Sequence, residues 1–580
     1  MSKQTQTYLY KSMFFLFIII LFISYMNWSA NTFLQDAIQN FKRNNFVDAK
    51  ILLLKVLDIE PQNFDALNII GVINGSENNH VEALNFFKKA QRVKPDNNLI
   101  NFNLAKAFSE NENDLEAIRY YKIAIRLNKN HLESWLNLGK SLHQLKRYNE
   151  ALINYDQAIK LKPDYFDAYN NKGVTLNELG NYDEALINYD QAIKLKPDYY
   201  KAYNNKGVTL NELGNYDEAL INYDQAIKLK PDYYKAYNNK GLTLNNLNHY
   251  DEALINYDQA IKLKPDYYKA YNNKALIKLC LGDYKEGWSL YKYRWMMNFQ
   301  GYRRYNFKLL ENIVDLKNKK VLVWHEQGFG DTIMFSRYVN QLIDIGAVVT
   351  FEVQEDLEPF FRSQFKCIVV NKVSLGEFFD FQVPLLDLPK LFNTSLDNIP
   401  FNRFYLKVEY KKKKEWEKKL QLSKNKFNIG ISISGNKSYK RNLIRSLPLK
   451  KMEPFLDKAN LFIIQKELSA EDMKFLNNHK EINFLGKEIS NFSDTAAIVE
   501  NMDLIISVDT SLIHLAGALG KKSFLILSYS ADWRWLLDRN STPWYNSIRI
   551  FRQKLIGDWD FVIKQIQLEF NNLNYHKIES

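Results

Sequence analysis

Two stretches of this chain combine residue types and spacing that could do chemistry. HEQGFGDTIMFSRY, 325–338, follows directly on the apolar run VLVW. Gly328 and Gly330 there permit a tight turn, and Asp331 opens a helix beneath the expected cleft, either capping that helix or presenting its carboxylate. SVDTSLIHLAGALGK, 507–521, follows the run DLIISV and places Asp509, Thr510 and Ser511 at a helix N-terminus, with His514 about one turn in. Backbone N–H groups and the helix dipole at such a point make an anion site suited to a diphosphate. His514 could equally be a satisfied core histidine. Trp533, Trp535 and Trp544 read as packing residues rather than a stacking platform.

Both stretches need strands to hold them. VLVW (321–324), VVTFEV (348–353), FNIGISIS (427–434), LFIIQ (461–465), DLIISV (503–508) and SFLIL (523–527) are short, nearly continuous apolar runs, as buried parallel strands require. A lysine-rich helical stretch, Lys411 to Lys419, separates them into two similar α/β halves, 301–410 and 411–580, and reads as a solvated face or linker.

Before residue 301 the pattern is different. ALINYDQAIKLKPDYYKAYNN begins at Ala185, Ala219 and Ala253, with a near copy at Ala151, so the period is 34 residues. The same phase falls on Ala49, Ala83, Ala117 and Gly287. Another small residue stands twelve positions earlier each time, as at Gly139, Gly173 and Gly207, and Pro163, Pro197, Pro231 and Pro265 stand twelve later. Small residues let two antiparallel helices approach, Pro ends the second, and Asp164, Asp198, Asp232 and Asp266 are placed to cap the next. These positions resemble the tetratricopeptide signature, which implies an α-solenoid over 31–300 and a protein partner or acceptor on it. Asn103, Asn137, Asn171, Asn205, Asn239 and Asn273 share one repeat position, two before the small residue. At ~100° per residue this puts them away from the helix-pair contact, exposed and available to a peptide backbone. The column resembles the asparagine ladder of O-GlcNAc transferases; copying of near-identical repeats would also carry it along.

Residues 321–560 resemble the lipopolysaccharide heptosyltransferases (glycosyltransferase family 9) and repeat-containing bacterial glycosyltransferases related to them. The matching stretches are GFGDTI, RSLPL at 445–449, VDTSLIHLAGALGK, and the tail DWRWL, STPWY and FRQ. The resemblance implies a GT-B architecture, two Rossmann-like halves across a cleft. It makes Asp331 the carboxylate facing the reacting sugar, and places the donor nucleotide sugar on Gly330, Arg445, Asp509, Thr510, Ser511 and His514. Ser511 stands where those enzymes usually have Gly, and Arg445 where they have Lys, so ADP-heptose is not implied as donor. No DxD motif lies near a donor loop, since Asp558 and Asp560 are close to the C-terminus. The expected reaction is therefore a metal-independent, inverting transfer with a nucleotide sugar as co-substrate and no further cofactor. A repeat adaptor with a degenerate transferase domain is the alternative.

The bulk composition constrains the rest. With 46% hydrophobic and 14% aromatic residues the chain has material for several cores, and its formal charge of +12 comes without any nucleic-acid-binding pattern. Two cysteines, Cys280 and Cys367, exclude a disulfide framework. Residues 1–30 hold a nearly continuous apolar run, Met13 to Met26, which fits a membrane anchor, a signal peptide or a misassigned start. A catalytic half working on nucleotide sugars is expected in the cytoplasm, either free or attached to the cytoplasmic face of the inner membrane.

Overall fold

A computed structural model describes residues 3–297, 305–400, 403–422, 425–435, 442–530 and 532–578, with the backbone alone along 3–12, 21–25, 27, 443–444 and 574–578. It separates into two compact units, Met1–Asn239 and Lys240–Ser580.

The first unit is an α-solenoid of alternating 13- and 14-residue helices, such as Phe166–Glu178 and Tyr182–Leu195, which recur at the 34-residue period. The periodic small residues sit where the helix pairs touch. A Cβ on Gly173 would meet Cε1 of Tyr189 at 2.6 Å, and one on Gly207 would meet the equivalent atom of Tyr223 at 2.7 Å. Each ring packs against a bare backbone, and Ala185 and Ala219 are fully buried in the same clusters. Asp164 and Asp198 do not cap the helices that follow. The turn after each Pro takes one more residue, so Tyr165 and Tyr199 occupy the N-cap positions without a side-chain cap bond. In the earlier repeats Asn63 and Asn97 do cap, accepting from Ala66 N and Ile100 N.

The asparagine column is half-buried rather than exposed. Asn205 Nδ2 donates to Asn170 Oδ1 of the preceding repeat at 3.0 Å, and Asn239 Nδ2 donates to Asn204 Oδ1 at 3.0 Å. Asn204 and Asn238 donate in turn to Asn205 and Asn239 Oδ1, both at 3.2 Å. The result is one zigzag of amides across three repeats. Asn103 makes the same kind of link to Asn68 Oδ1, whereas Asn137 and Asn171 donate to the carbonyls of Glu133 and Asp167 in their own helices. At ~100° per residue these amides do point away from their own helix pair, but the superhelix brings the neighbouring repeat against that face.

Met13 to Met26 lies within a helix spanning Lys3–Lys42. Among the described residues no helix is long and apolar enough to cross a membrane.

The second unit contains the last repeat helices, Tyr250–Leu263, Tyr268–Cys280 and Tyr284–Tyr291, and both α/β halves. In the first half, β1 (Lys320–Trp324), β2 (Val348–Glu352), β3 (Ile368–Val370) and β4 (Phe381–Pro384) form a parallel sheet in the order β3-β2-β1-β4. In the second, β5 (Phe427–Ser432), β6 (Ala459–Ile463), β7 (Asn483–Phe484), β8 (Leu504–Val508), β9 (Ser523–Leu527), β10 (Ser541–Thr542) and β11 (Tyr545–Arg552) are ordered β10-β11-β9-β8-β5-β6-β7. Only β10 with β11 is antiparallel there. Both sheets thus carry the doubly wound order in which the chain reverses direction beside the first strand of each half, β1 or β5. The lysine-rich stretch is the helix Tyr410–Leu420. It buries Trp416 and pairs Lys412 with Asp494 at 2.8 Å and Lys413 with Glu500 at 3.1 Å.

Candidate active site

In open α/β sheets the ligand crevice lies outside the strand C-termini at the switch point. A cleft of about 980 Å³ occupies that place, lined from one half by Gly328, Gly330 and Asp331 and from the other by Arg445, the Asp509–Ser511 turn, His514 and Arg534. The turns after β1, β5 and β8 therefore bring together every residue proposed for the donor and the reacting carboxylate.

Helices Phe329–Phe335 and Ser511–Ala518 meet near their N-termini, and the approach dictates a glycine. A Cβ on Gly330 would stand 2.8 Å from His514 Cδ2 and 3.6 Å from Ser511 Cα. Asp331 uses both carboxylate oxygens. Oδ2 accepts from Gly328 N at 3.1 Å, closing the first helical turn, and Oδ1 is paired with the Arg534 guanidinium. Capping and cleft-facing roles thus coincide in one side chain.

Arg534 is the residue that sequence reasoning missed. It lies within the quoted tail DWRWL, but its nearness to Asp331 depends on a contact 203 positions away along the chain. Its NH1 also meets Asp532 Oδ1 at 2.6 Å, and its side chain is 10% exposed. Burial works against the charge, yet the two carboxylates hold the guanidinium well above its ordinary value.

Arg445 NH1 donates to Asp509 O at 2.7 Å, tying the turn after β5 to the turn after β8. Asp509 is pushed above the ordinary carboxylate range, first by burial and then by the Asp532 charge; Arg445 and Arg534 oppose this. Thr510 occupies the N-cap of its helix without a side-chain cap bond, and its hydroxyl lies 3.1 Å from Ser507 Oγ. The Asp509–Leu512 stretch at that terminus lines the cleft, and the first turn of a helix carries backbone N–H groups without intrahelical partners. His514 is 4% exposed, stacks on Trp535 at 5.1 Å and shares a hydrogen bond with the Tyr545 hydroxyl at 3.1 Å. Burial, reinforced by Arg534, lowers it to about 3, so the ring is neutral at pH 7. It combines the core role with a place on the cleft wall. Trp533, Trp535 and Trp544 are all buried as packing residues.

Comparison with known proteins covers both parts of the chain. Residues 139–180 match a TPR repeat model, and 166–199, 200–233 and 234–267 match the tetratricopeptide repeat model. Residues 455–562 match glycosyltransferase family 9 (heptosyltransferase). That span contains Asp509, Thr510, Ser511, His514 and Arg534, while Asp331 and Arg445 fall outside it. Protein FlbA of Caulobacter vibrioides is 22% identical over 276 residues, which span 42% of this chain and 45% of that protein. A tetratricopeptide repeat protein from Parabacteroides merdae is 20% identical, with a TM-score of 0.38 over 47% of this chain and 99% of its own. YrrB, a TPR protein with an unusual peptide-binding site, is 24% identical, with a TM-score of 0.26 over 33% of this chain and 98% of its own.

Proposed function

We infer, from a chain that carries tetratricopeptide repeats and a C-terminal domain of the glycosyltransferase family 9 (heptosyltransferase) type, that it moves a sugar from a nucleotide-diphosphate sugar to an acceptor hydroxyl. The observation that carries this reading is the convergence of Asp331, Arg445, Arg534 and the Asp509–His514 turn on one cleft of about 980 Å³. The diphosphate lies against the N-terminus of helix Ser511–Ala518 with Arg445 beside it. The acceptor oxygen attacks the anomeric carbon, and its proton passes to Asp331. The carbon–oxygen bond to the diphosphate breaks, and the departing charge is met by Arg445 and the helix-terminal N–H groups. Configuration inverts and no metal is required. The repeats hold a protein acceptor or partner; a cell-surface glycan precursor is the other acceptor class compatible with the cleft. The reaction takes place in the cytoplasm, where sugar nucleotides are made.

One observation favours an adaptor instead: both Asp331 oxygens already have partners. The test is release of nucleoside diphosphate from a panel of sugar nucleotides, with and without cell lysate, by the native chain and by Asp331→Asn. General-base loss costs ~100-fold or more, while Asn keeps a capping oxygen. Release by the native chain that Asp331→Asn leaves near normal excludes the base role. No release with any donor supports the adaptor.

A further inference from the structure

The turn that presents Asp331 is held from below by the end of the repeat array. After the last repeat helix, Tyr284–Tyr291, the chain continues as the 3-10 segment Lys292–Met297. Arg294 leaves this segment and forks onto Glu326, Nε to Oε2 at 2.9 Å and NH2 to Oε1 at 2.7 Å, and also meets Asp387 Oδ1 at 2.7 Å. Arg294 and Glu326 side chains are each 6% exposed. Glu326 accepts a further bond from Leu386 N at 3.1 Å, and burial raises its carboxyl despite the guanidinium. The Tyr291 hydroxyl accepts from Gln327 Nε2 at 2.9 Å.

Gln327 is held in the left-handed region, with φ of +59°. A non-glycine residue is uncommon in that region and marks a tightly turned backbone. Around it, Tyr291 holds the Gln327 side chain, Gln354 Nε2 meets the Gln327 carbonyl at 3.4 Å, and Arg294 and Leu386 N hold the preceding Glu326. The same segment stacks Tyr293 against Tyr268, with centroids 5.7 Å apart, and sets it tilted against Tyr271 at 4.3 Å.

We propose that Tyr291 and Arg294 are positioning residues for the turn that presents Asp331, which makes the last repeat a working part of the catalytic site. Their effect on turnover rests on the transferase reading; their effect on the turn does not. The experiment uses the full chain and its Tyr291→Phe and Arg294→Lys variants, with two readouts. Hydrogen exchange is followed on a peptide covering 324–335. Loss of the Tyr291 hydroxyl removes one hydrogen bond, so exchange there should quicken about fivefold, and Arg294→Lys, which loses the fork, should quicken it more. Peptides in β8 and β9 should exchange at native rates. Turnover should fall by a similar factor with the KM for sugar nucleotide unchanged, a split that general destabilisation would not produce. Native exchange of the 324–335 peptide in both variants overturns the proposal. A loosened turn with native turnover overturns its catalytic part. A native chain that turns over no sugar nucleotide defeats the transferase reading, and the exchange rates still decide the positioning.

Discussion

Replacing Arg534 by Met should expose how strongly the cleft depends on one cation. The Arg534 and Asp331 side chains are 10% and 15% exposed, so neither charge is relieved by full hydration. Asp532, at 29% exposed, loses the same partner. Removing one member of a buried pair leaves uncompensated charge and typically costs ~3–5 kcal/mol. Neutralising Asp331 as well removes most of that residual penalty, so Arg534→Met with Asp331→Asn should be more stable than the sum of the single effects by ~1–3 kcal/mol. The assay is urea unfolding of the four proteins at pH 7, followed by tryptophan fluorescence. Eight of the ten tryptophans lie beyond residue 240, so the signal belongs to the unit that contains the pair. Additive single effects, with coupling below ~0.5 kcal/mol, would refute the account of Arg534 as the charge that holds this carboxylate.

Gly330→Ala should sharply reduce turnover while the chain stays folded, since the new methyl would stand 2.8 Å from His514 and must push two helix N-termini apart; native turnover would show that the seam tolerates the shift. His514 titrates near 3 in the folded chain, below its ordinary 6.5, so the unfolded chain binds more protons between those values and stability is lost as pH falls through that window. Native protein should therefore lose ~3 kcal/mol more than His514→Asn between pH 7 and pH 4, and parallel losses in urea unfolding would contradict the assignment. Replacing Asn205 and Asn239 together by Ala strips buried Asn170 and Asn204 of their partners and should lower the stability of the array by ~2–4 kcal/mol. If stability is untouched but binding of a protein partner falls, the column belongs to recognition instead.

The repeat register was legible because it rests on spacing alone: a small residue opposite a ring every 34 positions leaves one way to pack. The six apolar runs likewise became six strands, since parallel strands buried on both faces read as largely apolar runs. The short edge strands β3, β4, β7 and β10 escaped, as two to four residues give no period to read, and β11 escaped because its exposed residues interrupt the apolar run. At the cleft, Asp331 and the Asp509–His514 turn stood out because a strand, a tight turn and a helix follow one another in the sequence. Arg534 and Arg294 did not, for each meets its carboxylate through tertiary folding. The amide column was visible as a pattern, but the links of Asn103, Asn205 and Asn239 run between repeats and no helical wheel contains them.

The amide zigzag also bears on how such an array can change length. Its links join residues 35 positions apart, Asn205 to Asn170 and Asn239 to Asn204, and each 34-residue copy brings one donor and one acceptor in the same orientation. Duplicating a middle copy at the gene level adds one link and leaves no amide stranded, and deleting one closes the gap with an equivalent partner. Unequal recombination between the near-identical segments starting at Ala185 and Ala219 would therefore yield foldable products. The middle copies are thus interchangeable with one another, whereas the segment carrying Tyr291 and Arg294 has no second copy in the chain.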